Sequence, residues 1–438
     1  MGIFKAYDIR GIYPEQLNKE TAYRIGRALV AFLKVDKVVV GRDCRLSSDA
    51  LFEALAKGIN DQGADVYDIG LSTTPMLYFA NQKFPAGIMI TASHNPKEYN
   101  GFKLCREKAI PISGDTGIKE IETLVKKGEF EETGKKGGII EIDVLDDYVN
   151  HVLKFSNLKR KLKIVIDASN GAACVTAPKI FEKIDCDFIP LYFEPDGNFP
   201  NHEPNQLKDE NYKDLIKAVK ENKADIGIMF DGDADRVGFV DEQGNIIALD
   251  LITALVATHL LKEHTNEKII YEVRSSWTVK EEIRKQKGIP ILWRAGHAFI
   301  RNKMREENAI FGGEKSGHFF FRDNFYADNA MIAAMFVLNE ISTLDKPFSE
   351  IMKPLQRYYN SGEINSSVDY PDEVIKKIEE HFKDGKIKHI DGLTVEFDDW
   401  WFNLRKSQTE PLIRLNLEAK SKELMEKKKE EVLGLVRG

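Results

Sequence analysis

The sequence predicts an α/β protein with three α/β units and a smaller C-terminal α+β domain, and two observations carry the prediction. Short apolar runs alternate with helical patterns over most of the 438 residues, as in α/β units built on largely parallel sheets. After about residue 361 the order changes to helix, strands and helix. A chain of this length exceeds what one hydrophobic core usually supports, so several domains are expected.

The first unit, predicted over residues 1–142, alternates apolar strands with helices. Its strand patterns lie at 37–43, 64–70 and 86–93, with helices at 48–60 and 74–82. Continuous apolar runs of this length, bounded by turn residues, are typical of buried strands. The next stretch, up to about residue 124, is rich in turn residues, and the Gly- and Lys-rich segment 126–138 indicates a solvated connection.

The same alternation restarts in two further units, and a different order follows in the last one. The second, predicted over 143–249, has strands at 162–169, 186–193 and 224–231 and a helix at 172–183. The third, over 250–361, has strands at 268–273, 290–295 and 309–313 and helices that include 326–341 and 348–358. The last, over 362–438, combines helices at 372–382 and 423–436 with strands at 393–397, 400–405 and 412–417.

Composition excludes some classes of function. The formal charge of −7, from 63 basic and 70 acidic residues, argues against a nucleic-acid-binding surface, although a cleft can be locally basic inside an acidic protein. The four cysteines are scattered without a C-x-x-C pair, which is typical of reduced thiols in a cytosolic protein. No apolar signal core or membrane-length run is visible, so a cytoplasmic location is expected.

The first chemically notable loop is T-A-S-H-N-P, residues 91–96, at the end of a buried apolar strand. Open α/β sheets bind ligands at such strand ends. Ser93 is a candidate nucleophile, and Asn95-Pro96 would form a tight turn that presents it. The G-x-S-x-G pattern of serine hydrolases is absent, and His94 is a poor base for the serine next to it. A plain strand-to-turn connection remains the alternative.

The second loop is D-G-D-A-D-R, residues 231–236, where Asp231, Asp233 and Asp235 alternate with small residues. Three such carboxylates can converge on one cation, and oxygen ligands favour magnesium or calcium over zinc. A calcium EF-hand is rejected because Arg236 occupies the position that requires glycine and because a strand and a Gly244-Asn245 hairpin flank the loop. The other alternative is a solvated acidic loop.

Arg236 adds a potential phosphate-binding group to the acidic loop. A cation held by three carboxylates keeps an open position for a phosphoryl oxygen, which a neighbouring arginine can also bind. The pattern therefore favours phosphoryl transfer over calcium storage.

The third loop is G-G-E-K-S-G-H, residues 312–318. In an extended loop the alternate residues Glu314 and Ser316 would point the same way and suit adjacent sugar hydroxyls. The alternative is a Gly-rich turn without a ligand.

The fourth loop is R-K-S-Q-T-E-P, residues 405–411, between two strand-like segments. It is rich in hydrogen-bond donors, which predicts a phosphate cradle, and a polar hairpin turn is the alternative. The donors are Arg405, Ser407, Gln408 and Thr409, with Arg414 just beyond.

The four loops together, in this order, resemble the α-D-phosphohexomutases, and most closely their phosphomannomutase/phosphoglucomutase branch. The segments A-Y-D-I-R-G (6–11) and R-A-G-H-A-F-I (294–300) also match that branch. The resemblance covers all four predicted domains. It implies three related α/β domains with mixed sheets and a smaller fourth, with the active site in the central cleft.

Residue by residue, the resemblance implies a transferable phosphoryl group on Ser93 and one Mg²⁺ held by the phosphoserine oxygen and the three aspartates. The implied catalytic group is Ser93, Arg10, His94, Lys103 and Arg274, in which Arg10 and Lys103 assist proton and charge movement. The implied substrate-binding residues are Tyr7, Arg236, His297, Glu314, Ser316, His318, Arg405, Ser407, Gln408, Thr409 and Arg414.

Three positions depart from the family pattern. Gln408 replaces the usual asparagine and keeps its donors, and Lys406 replaces a small residue. Arg274 stands where many relatives have a lysine proposed for proton transfer. Arginine stays protonated in proteins, so Arg274 can stabilise charge but hardly act as a base, and Lys103 becomes the candidate base.

The implied reaction interconverts a hexose 1-phosphate and its 6-phosphate, with mannose, glucose or both as the sugar, and a hexose 1,6-bisphosphate as intermediate and activator. A phosphoglucosamine mutase and a non-catalytic sugar-phosphate-binding protein are the alternatives. A phosphatase would need water in a cleft that should exclude it. The expected partner is a small phosphosugar, without nucleic acid or membrane partners, and the oligomeric state stays open.

Overall fold

The computed structural model describes residues 2–406 and 412–437. These residues form four β-sheets of six, four, five and five strands, which follow one another along the chain. Over the same ranges, no helix has both the length and the apolar character needed to cross a membrane.

The first sheet is mixed. Its unit consists of β1 (Ile9–Ile12), α1 (Lys19–Leu33), β2 (Lys37–Arg42), α2 (Ser48–Asp61), β3 (Asp65–Leu71), α3 (Thr74–Ala80), β4 (Ala86–Ile90), β5 (Tyr99–Arg106), α4 (Lys119–Lys127) and β6 (Ile139–Glu141). The strand order is β1-β5-β4-β2-β3-β6, and β4 runs parallel to β2 but antiparallel to β5.

The turn-rich interpretation of the stretch up to residue 124 is wrong, because β5 and α4 lie there. The polar residues of β5 hid its strand pattern. Asn100 donates hydrogen bonds to Ser47 and Ser48, and Lys103 pairs with carboxylates of the second unit. These side chains are buried through polar contacts, so the apolar pattern of a buried strand is interrupted.

The second sheet has order β10-β9-β7-β8. Its unit consists of α5 (Leu145–Leu153), β7 (Leu162–Asp167), α6 (Ala173–Phe181), β8 (Cys186–Leu191), α7 (Lys213–Asn222), β9 (Ile226–Phe230) and β10 (Val237–Asp241). The hairpin predicted after the acidic loop is present: Val240 bridges Ile246, and Gly244 turns the chain at φ +86°.

The third sheet has order β12-β11-β13-β14-β15. Its unit consists of α8 (Leu249–Glu263), β11 (Lys268–Glu272), α9 (Trp277–Lys285), β12 (Ile289–Trp293), α10 (His297–Glu307), β13 (Phe311–Gly313), β14 (Phe319–Phe321), β15 (Ala327–Asp328), α11 (Ala330–Leu344) and α12 (Phe348–Met352). The helix predicted from 326 begins later, because β15 precedes it and Asn329 caps α11 by accepting from the Ile332 amide.

The fourth sheet is entirely antiparallel, with order β16-β20-β19-β18-β17. Its unit consists of β16 (Tyr359–Ser367), α13 (Pro371–His381), β17 (Lys386–Lys388), β18 (Leu393–Glu396), β19 (Trp400–Lys406), β20 (Leu412–Ala419) and α14 (Lys422–Arg437). This is the smaller α+β domain that the sequence predicts.

Packing of the units creates a shared cleft. The first and fourth sheets have their own apolar cores, whereas the second and third contribute to one large core. Residues from all four units line a cleft of about 1010 Å³. The predicted architecture, with mixed sheets and a central cleft, is confirmed.

Candidate active site

The Ser93 loop is a tight turn at the end of β4. Ser93 is buried and adopts a left-handed conformation at φ +51°, which is costly for a residue other than glycine. Two hydrogen bonds hold it: the Ser93 amide donates to Thr91 Oγ1 at 2.9 Å, and the Asn95 amide donates to the Ala92 carbonyl at 3.0 Å. The turn presents the serine as expected from Asn95-Pro96.

The acidic loop meets this turn directly. Ser93 Oγ donates a 2.6 Å hydrogen bond to Asp231 Oδ2, and the Arg236 amide donates to the other oxygen of Asp231 at 3.1 Å. Gly232 permits the close approach, because a Cβ there would lie 2.5 Å from the Ser93 carbonyl oxygen. The candidate nucleophile therefore contacts the first of the three aspartates.

The three aspartates form a buried oxygen cluster. Asp231, Asp233 and Asp235 each offer a carboxylate oxygen within 4.8 Å of the others. Oδ1 of Asp233 and Oδ1 of Asp235 are buried without a hydrogen-bond partner. Burial and the charges of Asp235 and Asp233 raise the pKa of Asp231 well above its ordinary value. A hard divalent cation would satisfy the unpaired oxygens and relieve the repulsion, so this donor set fits Mg²⁺.

Lys103 neutralises part of this cluster. Its ammonium group lies 2.6 Å from Asp233 Oδ2 and also pairs with Asp235, while the Thr74 hydroxyl donates to Asp233 as well. Burial lowers the pKa of Lys103, but the charges of Asp233 and Asp235 outweigh it and raise the pKa well above its ordinary value. The favoured form is the protonated one, which suits charge stabilisation.

Arg10 and His94 flank Ser93. Arg10 Nη1 donates to Asn95 Oδ1 at 2.5 Å, and Nη2 pairs with Asp8 at 2.6 Å. His94 Nδ1 lies 3.3 Å from Ser93 Oγ, whose proton is directed to Asp231. Burial, followed by the charges of Arg236 and Arg10, lowers the pKa of His94 well below its ordinary value, so its ring is neutral.

A histidine and an arginine join the second and third units. Arg236 Nε donates to His318 Nε2 at 2.9 Å. His318 Nδ1 lies 3.0 Å from Asp328 Oδ2 and therefore carries the ring proton. His297 stacks against His318 at a centroid distance of 5.7 Å, and Tyr7 meets His297 edge-on at 5.6 Å. These predicted substrate-binding residues form one wall of the cleft.

The predicted geometry of Glu314 and Ser316 is wrong. The segment is a turn, in which the Gly317 amide donates to the Glu314 carbonyl, and Gly317 adopts φ +89°, so the alternation of an extended loop does not apply. Glu314 Oε1 accepts from the Gly296 amide at 2.6 Å, while its Oε2 is buried without a partner. The Ser316 carbonyl accepts from Gln206.

Three arginines converge on Glu363 in the fourth unit. Arg405 donates to it at 3.0 Å, Arg414 at 3.3 Å and Arg274 at 3.4 Å. Burial raises the pKa of Glu363, but Arg405, Arg274 and Arg414 reverse this, so the net pKa is lowered. Arg274 also pairs with Glu272 at 2.8 Å. The contacts of Arg274 are thus to carboxylates of the third and fourth units.

The predicted phosphate-binding residues Ser407, Gln408 and Thr409 lie outside the described residues.

The cleft is cationic although the chain is acidic. Among the residues that the structure describes, four acidic side chains line it, against nine basic ones: Lys5, Arg10, Lys103, Lys119, Arg236, Arg294, Arg405, Lys406 and Arg414. An anionic substrate would be attracted and held by such a surface.

Several residues that contact the site were not predicted from the sequence, among them Arg45, Thr74, Asp328 and Glu363. Arg45 offered the clearest signal, because it follows β2, whose neighbour β4 leads to Ser93. Ends of adjacent parallel strands meet at one edge of a sheet, so polar residues there belong to a common site.

Comparison with known proteins gives matches over the whole chain. Models of the phosphoglucomutase/phosphomannomutase α/β/α domains I, II and III match residues 1–132, 146–244 and 249–358, and that of the C-terminal domain matches 363–435. The phosphomannomutase of Methanocaldococcus jannaschii is 40% identical over 99% of this chain and 97% of its own. That of Escherichia coli K12 is 42% identical over 95% and 94%.

A solved structure shows the same agreement in three dimensions. A phosphoglucomutase/phosphomannomutase family protein from Burkholderia thailandensis superposes with a TM-score of 0.93 at 34% identity, covering 99% of this chain and 97% of its own. The similarity therefore extends to all four units and to their mutual arrangement.

Proposed function

The chain belongs to the phosphoglucomutase/phosphomannomutase family, and we propose that it interconverts the 1- and 6-phosphates of mannose and of glucose by way of a phosphorylated Ser93. It is a hexose phosphate mutase, an enzyme that moves a phosphoryl group. The hydrogen bond from Ser93 to Asp231 carries the finer proposal, because it joins a nucleophile to an oxygen cluster suited to Mg²⁺.

Asp231, Asp233 and Asp235 would hold the Mg²⁺ ion together with an oxygen of phosphorylated Ser93. When bound, the ion supplies positive charge that neutralises the transferring phosphoryl group. The unpaired oxygens of Asp233 and Asp235 support this assignment.

The first transfer exchanges one oxygen–phosphorus bond for another. The bond between Ser93 Oγ and phosphorus breaks while the free hydroxyl of a hexose monophosphate forms its own bond to phosphorus. The proton of that hydroxyl ends, in the overall balance, on Ser93 Oγ. Lys103, Arg10 and Arg236, whose Nε lies 3.9 Å from Asp235 Oδ1, place positive charge around the loop, which stabilises the phosphoryl group in transit.

The product of this step is a hexose 1,6-bisphosphate, which turns over in the cleft so that its other phosphate returns to Ser93. Arg405 and Arg414 would hold whichever phosphate is not reacting, and Glu314, Ser316 and the His297 and His318 rings would contact the sugar. A bisphosphate that escapes leaves Ser93 unphosphorylated, so added bisphosphate is expected to act as an activator.

The proposal also includes the four domain boundaries and a cytoplasmic location for the protein. The ranges 1–142, 143–249 and 250–361 each contain one complete sheet, which supports the first two limits. The fourth sheet begins three residues before the proposed limit at 362, because its strand β16 spans Tyr359–Ser367. The four cysteines are unpaired thiols, as in cytoplasmic proteins.

The test follows ³¹P NMR signals of mannose 1-phosphate and glucose 1-phosphate in parallel, with Mg²⁺ and a trace of glucose 1,6-bisphosphate. We expect 6-phosphate to grow in both samples and in neither with Ser93→Ala. Conversion of one sugar phosphate alone would identify that sugar as the substrate. No change in either sample, with conversion of glucosamine 1-phosphate in a third, would contradict the proposed sugars, and release of free phosphate would indicate a phosphatase.

A further inference from the structure

Arg45 lies completely buried behind the Ser93 loop, with none of its side chain exposed. One nitrogen, Nη2, donates to the carbonyls of Ser93 at 2.8 Å and Asn95 at 2.6 Å. The other, Nη1, donates to the carbonyls of Pro96 at 2.7 Å and Tyr99 at 2.9 Å. One rigid guanidinium group therefore binds four backbone carbonyls within seven consecutive residues.

The remaining donor of Arg45 is also satisfied. Its Nε donates to Asp43 Oδ2 at 3.1 Å, and Ser48 donates to the other oxygen of Asp43 at 2.7 Å. The Phe199 ring of the second unit lies 5.1 Å from the guanidinium carbon. A guanidinium has five N–H groups, and here five acceptors receive them, so its orientation is fully determined.

The Ser93 carbonyl that Arg45 binds also faces the acidic loop. A side chain on Gly232 would come within 2.5 Å of that oxygen, so the two loops touch at this point. Ser93 holds a left-handed conformation there, and its hydroxyl reaches Asp231. A shift of the carbonyl would move the hydroxyl relative to the aspartates.

We propose that Arg45 is a positioning residue for phosphoryl transfer, which fixes the Ser93 loop against the acidic loop without touching the substrate. The inference rests on the proposed function. Ser93 gains and loses a phosphoryl group in each cycle, and each event changes its charge by nearly two units. A loop held by four hydrogen bonds from one guanidinium group keeps its place through both events, so the reacting atoms stay aligned.

The experiment compares Arg45→Lys and Arg45→Ala with Arg42→Ala as a matched control. Lysine keeps the charge but offers one nitrogen, which cannot reach four carbonyls in the same geometry. Arg42 is the last residue of β2, the strand that precedes Arg45, and it pairs with Asp49 and Asp68, not with the Ser93 loop. Melting temperatures and circular dichroism establish that each variant is folded.

We expect kcat for the mutase reaction to fall about 100-fold in R45K, since a displacement of about 1 Å costs that much, with KM changed less than about threefold. Amide hydrogen exchange should become faster in the peptide that contains 92–99. R42A should keep a kcat near that of the wild type.

A folded R45K with the wild-type kcat, a rise in KM alone, or an equal loss of kcat in R42A would overturn the positioning role. Wild-type protein without mutase activity would overturn the proposed function and this inference with it. The two failures are therefore distinguishable, because the first requires an active wild-type enzyme.

Discussion

Ser93 Oγ and Asp231 Oδ2 lie 2.6 Å apart although 138 residues separate them in the chain. The first follows β4 of the first sheet, and the second follows β9 of the second sheet. Neither unit alone contains both groups. The packing of the two units therefore determines the geometry of the reaction, and changes at their contact should lower turnover.

Substitution of Gly232 by alanine tests this contact. The new Cβ would lie 2.5 Å from the Ser93 carbonyl, and because the obstacle is backbone, the loops must separate. We expect kcat to fall about 100-fold and the free energy of unfolding to fall by about 1–3 kcal/mol. Gly134→Ala is the control, since nothing lies within 4 Å of its added Cβ. A G232A enzyme with normal kcat would contradict this geometry.

The magnesium assignment predicts a specific effect of Asp233→Asn. The substitution replaces one carboxylate oxygen by a nitrogen donor and removes a charge, so half-saturation by Mg²⁺ should need at least about 10-fold more free ion. Activity measured against buffered Mg²⁺ after chelation checks this. Asp241→Asn is the control: Asp241 is equally buried but accepts from Gln243 and Asn245. An identical Mg²⁺ curve for D233N would refute the assignment.

Arg405 is expected to bind the phosphate that does not react. Loss of a charged hydrogen bond costs about 1.5–3 kcal/mol, so Arg405→Ala should lower kcat/KM about 10- to 100-fold, mainly through KM. Lys420→Ala removes a cation of the same unit that pairs with Asp399 at the surface and should have no such effect. Unchanged KM in R405A would exclude the proposed contact.

His297 predicts a pH dependence of stability. Burial lowers its pKa to about 3, whereas the unfolded chain has a pKa of about 6.5. The unfolded state therefore gains a proton first, so the stabilisation is present above about pH 6.5 and is lost as the pH falls toward 3. The free energy of unfolding should fall between pH 6 and pH 4 in the wild type. In His297→Asn we expect this slope to be smaller by up to about 1.4 kcal/mol per pH unit.

Urea unfolding at several pH values measures this slope. Tyr7→Phe is the control, because it alters the ring packed against His297 without removing a group that titrates in this range. The same slope in H297N and in the wild type would show that folding does not lower the pKa of His297.

The sequence predicted those parts of the site that are contiguous. Ser93 with its turn, and the three aspartates with Arg236, each occupy one short loop at the end of an apolar strand, so local chemistry identifies them. The order of the α/β units and the change to a smaller α+β domain were also visible, because continuous apolar strands and helices alternate along the chain.

Interactions that depend on packing between units were not predictable. Thr74 of the first unit donates to Asp233 of the second, and Arg274 of the third unit donates to Glu363 of the fourth. The strand β16 was not predicted, because its residues are mostly exposed and polar and therefore lack the alternating apolar pattern of a strand. The turn at Glu314 was not predicted, because Gly317 can adopt an extended or a left-handed conformation with equal ease.

Mass spectrometry of the Ser93 peptide, followed by a single turnover, tests the phosphoserine mechanism most directly. The protein is treated with glucose 1,6-bisphosphate and Mg²⁺, freed of ligand, and mixed with mannose 1-phosphate. We expect one phosphoryl group on Ser93 before mixing and its appearance in mannose 1,6-bisphosphate and mannose 6-phosphate afterwards. A phosphoryl group on another residue, or turnover by a Ser93→Ala variant, would contradict the mechanism.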